Sequence, residues 1–470
     1  MEDYFNLLSS EDFLESEEGK RKVASNFDEF VAFLKNNFTS VNQGAIEGLI
    51  DFFLDEEQYE KAIKLIDILI ESNPFSPEPY YLKGIALEGL SKNEEAIQYY
   101  DKALSFNPGD VEILIDKAIL LDKIGDYENA VNIFQQAIEI EPDNPEIYYN
   151  LGLCYVDSGE YEKAIETYKV VLELDSERTE VYNDLAYCYF NIEEYETSEY
   201  YYKKYLDINP YNYHSWCYLG NSYLERSKFL KAIDAFEICL SIKEDFSHAL
   251  YFCGYCYFNL GRYYKAIEYF EKLIKVENKE VYYYYELAEL YTLIGQYHKA
   301  IVNYDSIIRI SPESWRSFYL RGNCYYNLGL FNKALNDYKS AVVLKKDSVD
   351  LWLSKADTER ILKKYVEALD SLRKALSIDP DNFSIWLDYV DTLIENKELK
   401  KALVLLDSMQ FVKPDMARIY YTKAKVYFLL KEIEKGIEMV YKGFEVNPED
   451  SFEFDFNKDW QKVIDFLINY

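Results

Sequence analysis

Residues Pro145 to Arg178 read PEIYYNLGLCYVDSGEYEKAIETYKVVLELDSER. The stretch holds two apolar-periodic segments separated by the turn Ser158-Gly159-Glu160. Small residues stand at Gly152 in the first segment and Ala164 in the second, and large rings stand at Tyr155 and Tyr168. Two antiparallel helices crossing closely need this division: Gly or Ala where the backbones meet, bulky side chains between.

The same division recurs on both sides with a period of 34. Set in rows from Gln43, one column reads Ala62, Ala96, Ala130, Ala164, Ser198, Ala232, Ala266, Ala300, Ala334, Ala368, Ala402 and Gly436. A second, mostly small column includes Gly84, Ala118, Gly152, Ala186, Gly220, Gly254, Ala288, Gly322, Ala356 and Ala424. A third is rich in proline, at Pro74, Pro108, Pro142, Pro210, Pro312, Pro380, Pro414 and Pro448, where it stops the second helix and begins the next row. One ring column runs through Tyr155, Tyr189, Tyr223, Tyr257, Tyr291 and Tyr325, and another through Tyr168, Tyr202, Phe236, Phe270, Tyr304 and Tyr338. A fixed period of this length marks a repeat architecture.

These columns resemble the tetratricopeptide repeat family over residues 43–450, twelve rows, with the Pro145–Arg178 row fitting the family pattern nearly throughout. The resemblance implies an all-α fold, a right-handed superhelical solenoid of antiparallel helix pairs making more than one turn. The first helix of each pair would line a concave groove. Departures gather at the ends: Ile50 and Val390 replace small residues. Gly436 and Gly443 stand where Ala is usual and should weaken the last row. Glu359, Leu372, Leu393 and Leu406 take the places of core rings, so the C-terminal third is expected to pack differently. Residues 1–42 and 451–470 lie outside the period and read as helical caps, the first on Val23, Phe27, Phe30, Val31 and Leu34, the second on Trp460, Val463, Ile464 and Leu467.

Composition narrows the function. The 470 residues carry 84 acidic and 51 basic side chains, a formal charge of −33. Such a chain repels nucleic-acid phosphates and anionic membranes, whereas a basic protein partner suits it. The start MEDYFNLLSSEDF has no basic and apolar signal pattern, and no apolar run approaches the roughly 20 residues that cross a bilayer. Seven cysteines show no disulfide-framework spacing, so a cytoplasmic, reducing setting is expected.

Catalytic chemistry finds little footing. There is no phosphate-binding loop or dinucleotide fingerprint, and the repeats leave no room for a catalytic domain. His214, His248 and His298 are the only histidines, with Cys217 the one further ligand candidate near His214; no metal or cofactor is expected. Cys253 and Cys256 mimic a redox pair, but the Cys256 column also holds Cys154, Cys188 and Cys324, which reads as packing between helices.

The resemblance implies that positions two, five, nine, twelve and thirteen of each first helix face the groove. Read at these positions, the middle rows give Asn183, Tyr187, Asn191, Asn221, Tyr251, Tyr255, Asn259, Tyr282, Tyr285, Tyr319, Asn323, Tyr326 and Asn327, with few charges among them. Asn can pair with both sides of a peptide bond, and Tyr offers contact area with a hydroxyl handle. These residues are the expected partner-binding set; the competing reading is that the rings merely pack on neighbouring rows. Family members that grip chaperone C-termini carry Lys at position five, and here none does, as Tyr81, Tyr149, Tyr251 and Tyr285 illustrate. The sequence therefore points to a non-enzymatic scaffold that binds a peptide segment and joins it to a multiprotein complex. A chaperone-like holder of a secreted, membrane or basic client, or a regulatory subunit of a separate enzyme, are the alternatives.

Overall fold

The structure is a computed structural model that describes residues 16–37 and 43–447. Among the described residues there are 26 helices and no strand. Twenty-four of them form the twelve helix pairs, a first helix of about 13 residues and a second of 14, as in Pro145–Asp157 and Tyr161–Leu174. The fold is an all-α solenoid of tandem pairs. It divides into two compact units at Glu244 and Asp245, each holding six pairs.

The turn inside each pair is set by one backbone feature. Residue fifteen of every row has positive φ: Gly125, Gly159, Gly261, Gly295 and Gly329, but also Glu57, Ser91, Glu193, Ser227, Lys363, Lys397 and Lys431. In the Pro145 row, Gly159 N–H donates to Val156 O at 3.0 Å and Glu160 N–H to Tyr155 O at 2.7 Å. These are the two bonds of a Schellman motif, which satisfies the carbonyls that the helix end would leave open.

Close approach explains the small column. An added Cβ on Gly152 would lie 2.4 Å from the Tyr168 ring, and on Gly84 2.4 Å from Tyr100. Tyr100, Tyr168, Tyr202, Phe236, Tyr304 and Tyr338 are almost wholly buried beneath the first helices. The last pair reverses the arrangement. There the glycines sit on the second helix and the rings on the first, with a Cβ on Gly436 2.5 Å from Phe428 and one on Gly443 2.7 Å from Tyr421. These glycines, expected from sequence to weaken the helix, also admit two rings.

Two further ties join the rows. At position four a ring sends its polar tip back to the carbonyl six residues earlier: Trp216 Nε1 to Pro210 O at 2.8 Å, Trp386 Nε1 to Pro380 O at 2.9 Å, Tyr420 Oη to Pro414 O at 2.9 Å. At position seven a cation crosses to the preceding second helix. Lys83 meets Asp67 and Lys117 meets Asp101, each at 2.6 Å. Arg321 bridges Asp305 and Asp337, at 2.5 and 2.6 Å. Buried pairs need their hydrogen bonds complete to be tolerated, and Arg321 supplies both with its fork.

The C-terminal rows replace rings with polar chemistry. Glu359, 1% exposed, takes the Lys355 ammonium at 2.9 Å and the Ser371 hydroxyl at 2.7 Å. At the other end, Val23, Phe27, Phe30 and Leu34 on the helices Glu17–Ser25 and Phe27–Asn37 are buried in one cluster with Ala45, Ile46, Leu49 and Phe53 of the first row. The segment 451–470, read from sequence as the second cap, lies outside the described residues.

Candidate functional site: the first-helix face

In the first unit, Asn183, Tyr187 and Asn191 lie on the helix Glu180–Asn191 and Asn221 on Tyr213–Glu225. The Tyr187 ring packs between Tyr161 at 6.3 Å and Tyr218 at 6.0 Å. Asn183 Oδ1 accepts from Ser215 Oγ at 2.6 Å, which ties one row to the next.

In the second unit, Tyr251, Tyr255 and Tyr282 form one contiguous patch. Tyr251 stacks on Tyr255 at 6.4 Å and shares a hydroxyl–hydroxyl bond of 2.9 Å with Tyr282. Tyr255 is 38% exposed, Phe258 beside it 43%, and Tyr282 52%. Asn259 is exposed at the same helix end. Large rings this open on a packed helix contribute little to the core.

The position-five tyrosines are different. Tyr251, Tyr285 and Tyr319 lie 5.9, 6.3 and 6.0 Å from the core rings Phe270, Tyr304 and Tyr338. They are half-buried, and the Tyr285 hydroxyl reaches Ser314 at 2.7 Å and also bonds Ser317. Part of each such ring therefore belongs to the packing between the helices. Tyr326 is also committed between rows: its hydroxyl donates to Asp357 at 2.6 Å, and that bond first, burial second, holds its pKa up at about 12.

The carboxamides are less free than the sequence suggests. Asn191, Asn259 and Asn327 each donate Nδ2 to the backbone carbonyl four residues earlier, at 2.8, 2.9 and 2.8 Å. Asn323 Oδ1 takes the Tyr338 hydroxyl at 2.7 Å. At position thirteen the amide N–H serves the last turn of its own helix.

Position six was missed by reading only the five family positions. It carries Asp116, Asp184, Glu286 and Asp388, all half-buried. Asp116 takes the Tyr81 hydroxyl at 2.6 Å and Asp184 the Tyr149 hydroxyl at 3.2 Å. Burial pushes all four carboxyls above the usual carboxylate range. The few charges expected on the middle first helices are therefore joined by two half-buried carboxyls, Asp184 in the first unit and Glu286 in the second. Helical geometry gave the signal, since position six lies only about 20° around the helix from position thirteen.

The remaining candidates for chemistry are accounted for. All seven cysteines are buried thiols, and burial drives Cys154, Cys188 and Cys256 up to about 12. Among the described residues no group of three or more His, Cys, Asp or Glu is placed to hold a metal, and no helix is long and apolar enough to cross a membrane.

Comparison with known proteins agrees with this geometry. Tetratricopeptide repeat models match residues 49–111, 99–132, 123–186, 179–212, 247–279, 361–426 and 417–450, together more than half of the chain. A model of the anaphase-promoting complex, cyclosome, subunit 3 matches residues 294–375. No curated protein matches. Similar solved structures include the C-terminal part of a TPR repeat-containing protein from Cytophaga hutchinsonii, 18% identical, covering 52% of this chain and 99% of that one at TM-score 0.46. YrrB, a TPR protein with an unusual peptide-binding site, is 21% identical, with 38% and 92% covered at TM-score 0.34. A structure of Naa15/Naa10 bound to HypK-THB is 14% identical, with 90% and 79% covered at TM-score 0.33. Helix pairs repeating every 34 residues, the small-residue crossings beneath rings and the matching models lead to one assignment: the chain belongs to the tetratricopeptide repeat family, a protein-interaction fold.

Proposed function

We propose that the protein is a non-enzymatic scaffold that binds an extended segment of a partner protein along its first-helix face and joins it to a larger assembly. One observation carries this reading: the open aromatic patch of Tyr255, Phe258 and Tyr282, resting on Tyr251 and flanked by Asn259. Aromatic side chains that are exposed yet held in place contribute contact area at small entropic cost, as binding hot spots do. Asn259 and Asn327 supply polar contacts in the same unit, and Asn191 supplies one in the first. The match of residues 294–375 to a subunit of a multiprotein complex supports membership of an assembly. A peptide is the class of ligand that YrrB holds, and the same class is proposed for this chain. The helices Glu17–Ser25 and Phe27–Asn37 serve in this reading as the cap of the first row.

The test is affinity purification of the full chain against variants. Tyr255→Ala combined with Tyr282→Ala should lose the stoichiometric partner while the melting curve is kept. Leu230→Ala, at a side chain 56% exposed on a second helix, should retain it. Equal recovery with both variants would defeat the groove reading.

A further inference from the structure

The row beginning at Val349 breaks the packing rule of the row before it. Tyr338 lies beneath Gly322 and carries its hydroxyl through to Asn323. One period later Leu372 holds the same position, buried but far shorter, and Ala356 stands above it. Beside Leu372 an open cavity of about 390 Å³ lies on the first-helix face. Its back is apolar, formed by Leu353 and Leu372, and its rim carries Tyr326, Asp357, Arg360 and Asp388.

The charges on that rim are unbalanced. Arg360 turns away to Glu395, meeting it at 2.9 Å. Among the described residues, Asp357 holds the Tyr326 hydroxyl alone, at 2.6 Å. Asp388 is half-buried, and among the described residues no hydrogen bond or ion pair reaches its carboxylate. Burial first, then the like charges of Asp391 and Asp357, raise the Asp388 pKa, against partial relief from Arg360 and Arg418. A half-buried carboxylate in this state is stabilised by a cation placed beside it. A cation on a long apolar stem also suits the back wall, because methylenes can lie on Leu353 and Leu372 while the head group stays at the rim.

We propose that this cavity receives a lysine or arginine side chain of the bound segment, with Asp357 and Asp388 as the recognising carboxylates. The inference rests on the peptide reading of the groove and adds the chemistry of one partner position. A metal ion is the poorer occupant, since no third ligand is placed with the two carboxylates.

Arrays of immobilised nonapeptides, randomised except for a central Arg, Lys, norleucine or Glu, would be probed with the full chain. The Arg and Lys arrays should bind more than the Glu array by about tenfold, the effect of one partly buried ion pair. Asp357→Asn with Asp388→Asn should abolish that preference without lowering the melting temperature. Leu372→Tyr should also abolish it by filling the cavity with a ring that Ala288 already accommodates above Tyr304 in another row. This variant decides the matter should the double variant fold poorly. Glu95→Gln with Glu162→Gln, both exposed on second helices, changes net charge equally and should keep the preference. Equal binding of the Arg and Glu arrays would overturn the cavity assignment while leaving the groove standing. So would a preference that survives the rim variants, or one that the Glu95 and Glu162 control lowers as much. Absence of binding to every array would overturn the groove reading together with it.

Discussion

Tyr251 and Tyr282, on successive first helices of the second unit, meet hydroxyl to hydroxyl at 2.9 Å. The two rings share a bond but not an environment: Tyr251 leans on the buried Phe270, whereas Tyr282 is 52% exposed. Their truncations should separate. Tyr282→Ala should cost less than about 1 kcal/mol of stability, as surface changes do, yet about 2 kcal/mol of partner affinity if it is a hot spot. Tyr257→Ala, at a core ring 9% exposed, should cost about 3–5 kcal/mol of stability. Tyr251→Ala should fall between the two. Chemical denaturation and titration with the recovered partner measure both quantities on the same proteins. Should Tyr282→Ala destabilise as much as Tyr257→Ala while binding persists, the patch is packing.

The last row offers a test in which two physical readings differ in sign. From helix propensity alone, Gly436→Ala should stabilise by about 1 kcal/mol. The structure places the new Cβ 2.5 Å from the Phe428 ring, which is itself buried. Overpacking of this kind costs about 1–3 kcal/mol, so the net effect should be destabilising. Gly152→Ala, against the fully buried Tyr168, should cost more, because that ring has less room to yield. A rise in melting temperature for Gly436→Ala would show that Phe428 moves aside freely.

How much was legible follows from what each residue answers to. The pairs, their turns and the small and ring columns answer to contacts within a row or to the next row, and a fixed period displays these directly. The Cys154, Cys188, Cys256 and Cys324 column was readable as packing for the same reason. The groove was read less well. Tyr285 and Tyr319 occupy groove positions, but their rings rest on Tyr304 and Tyr338, and only coordinates show that division. Asn259 was legible as an exposed position of a first helix, whereas the bond of its amide nitrogen to Tyr255 O was not. The position-six carboxylates could have been found by one further step around the helix. The cavity beside Leu372 could not, because a lost ring may be filled by neighbours, as Ser371 and Lys355 fill the place around Glu359.

The inter-helix turns give a prediction independent of partners. Lys363, Lys397 and Lys431 have φ of 58°, 63° and 65°. L-residues with a side chain adopt this region at a cost of roughly 1–2 kcal/mol, part of which glycine returns as chain entropy. Lys397→Gly should therefore stabilise by about 0.5 kcal/mol and Gly159→Ala should destabilise by about 1 kcal/mol. The three lysine changes lie whole rows apart, so their effects should add. Denaturant midpoints at constant m would check this, and a destabilised triple variant would show that the lysine stems contribute more than the strain.

Stability should rise, not fall, as pH is lowered from neutral toward the ordinary carboxylate range. Asp51, Glu78, Asp116, Asp184, Asp388 and Asp391 all have folded pKa values raised above the ordinary carboxylate value, in each case by burial first. Like charges add to it: Asp55 and Glu47 press on Asp51, and Glu112 and Glu47 on Glu78. A carboxyl whose pKa is raised on folding binds its proton more tightly in the native state. Its contribution to stability is full below the unfolded pKa and is lost as pH climbs through the folded one. Glu146, Glu268, Glu398 and Glu438 are shifted the other way by Arg178, Lys265, Lys401 and Lys442. Their contribution is present above the unfolded pKa and fades only below about 4.5, outside this window. The overall charge of −33 works in the same direction as the raised group, since protonation relieves self-repulsion. Thermal melts at fixed ionic strength should show a higher midpoint at the lower pH, and added salt at neutral pH should reproduce part of the gain by screening. The Asp184→Asn variant should depend on pH less than the parent. A midpoint that drops steadily across this window would mean that paired carboxylates, not buried repelling ones, govern the stability of the repeats.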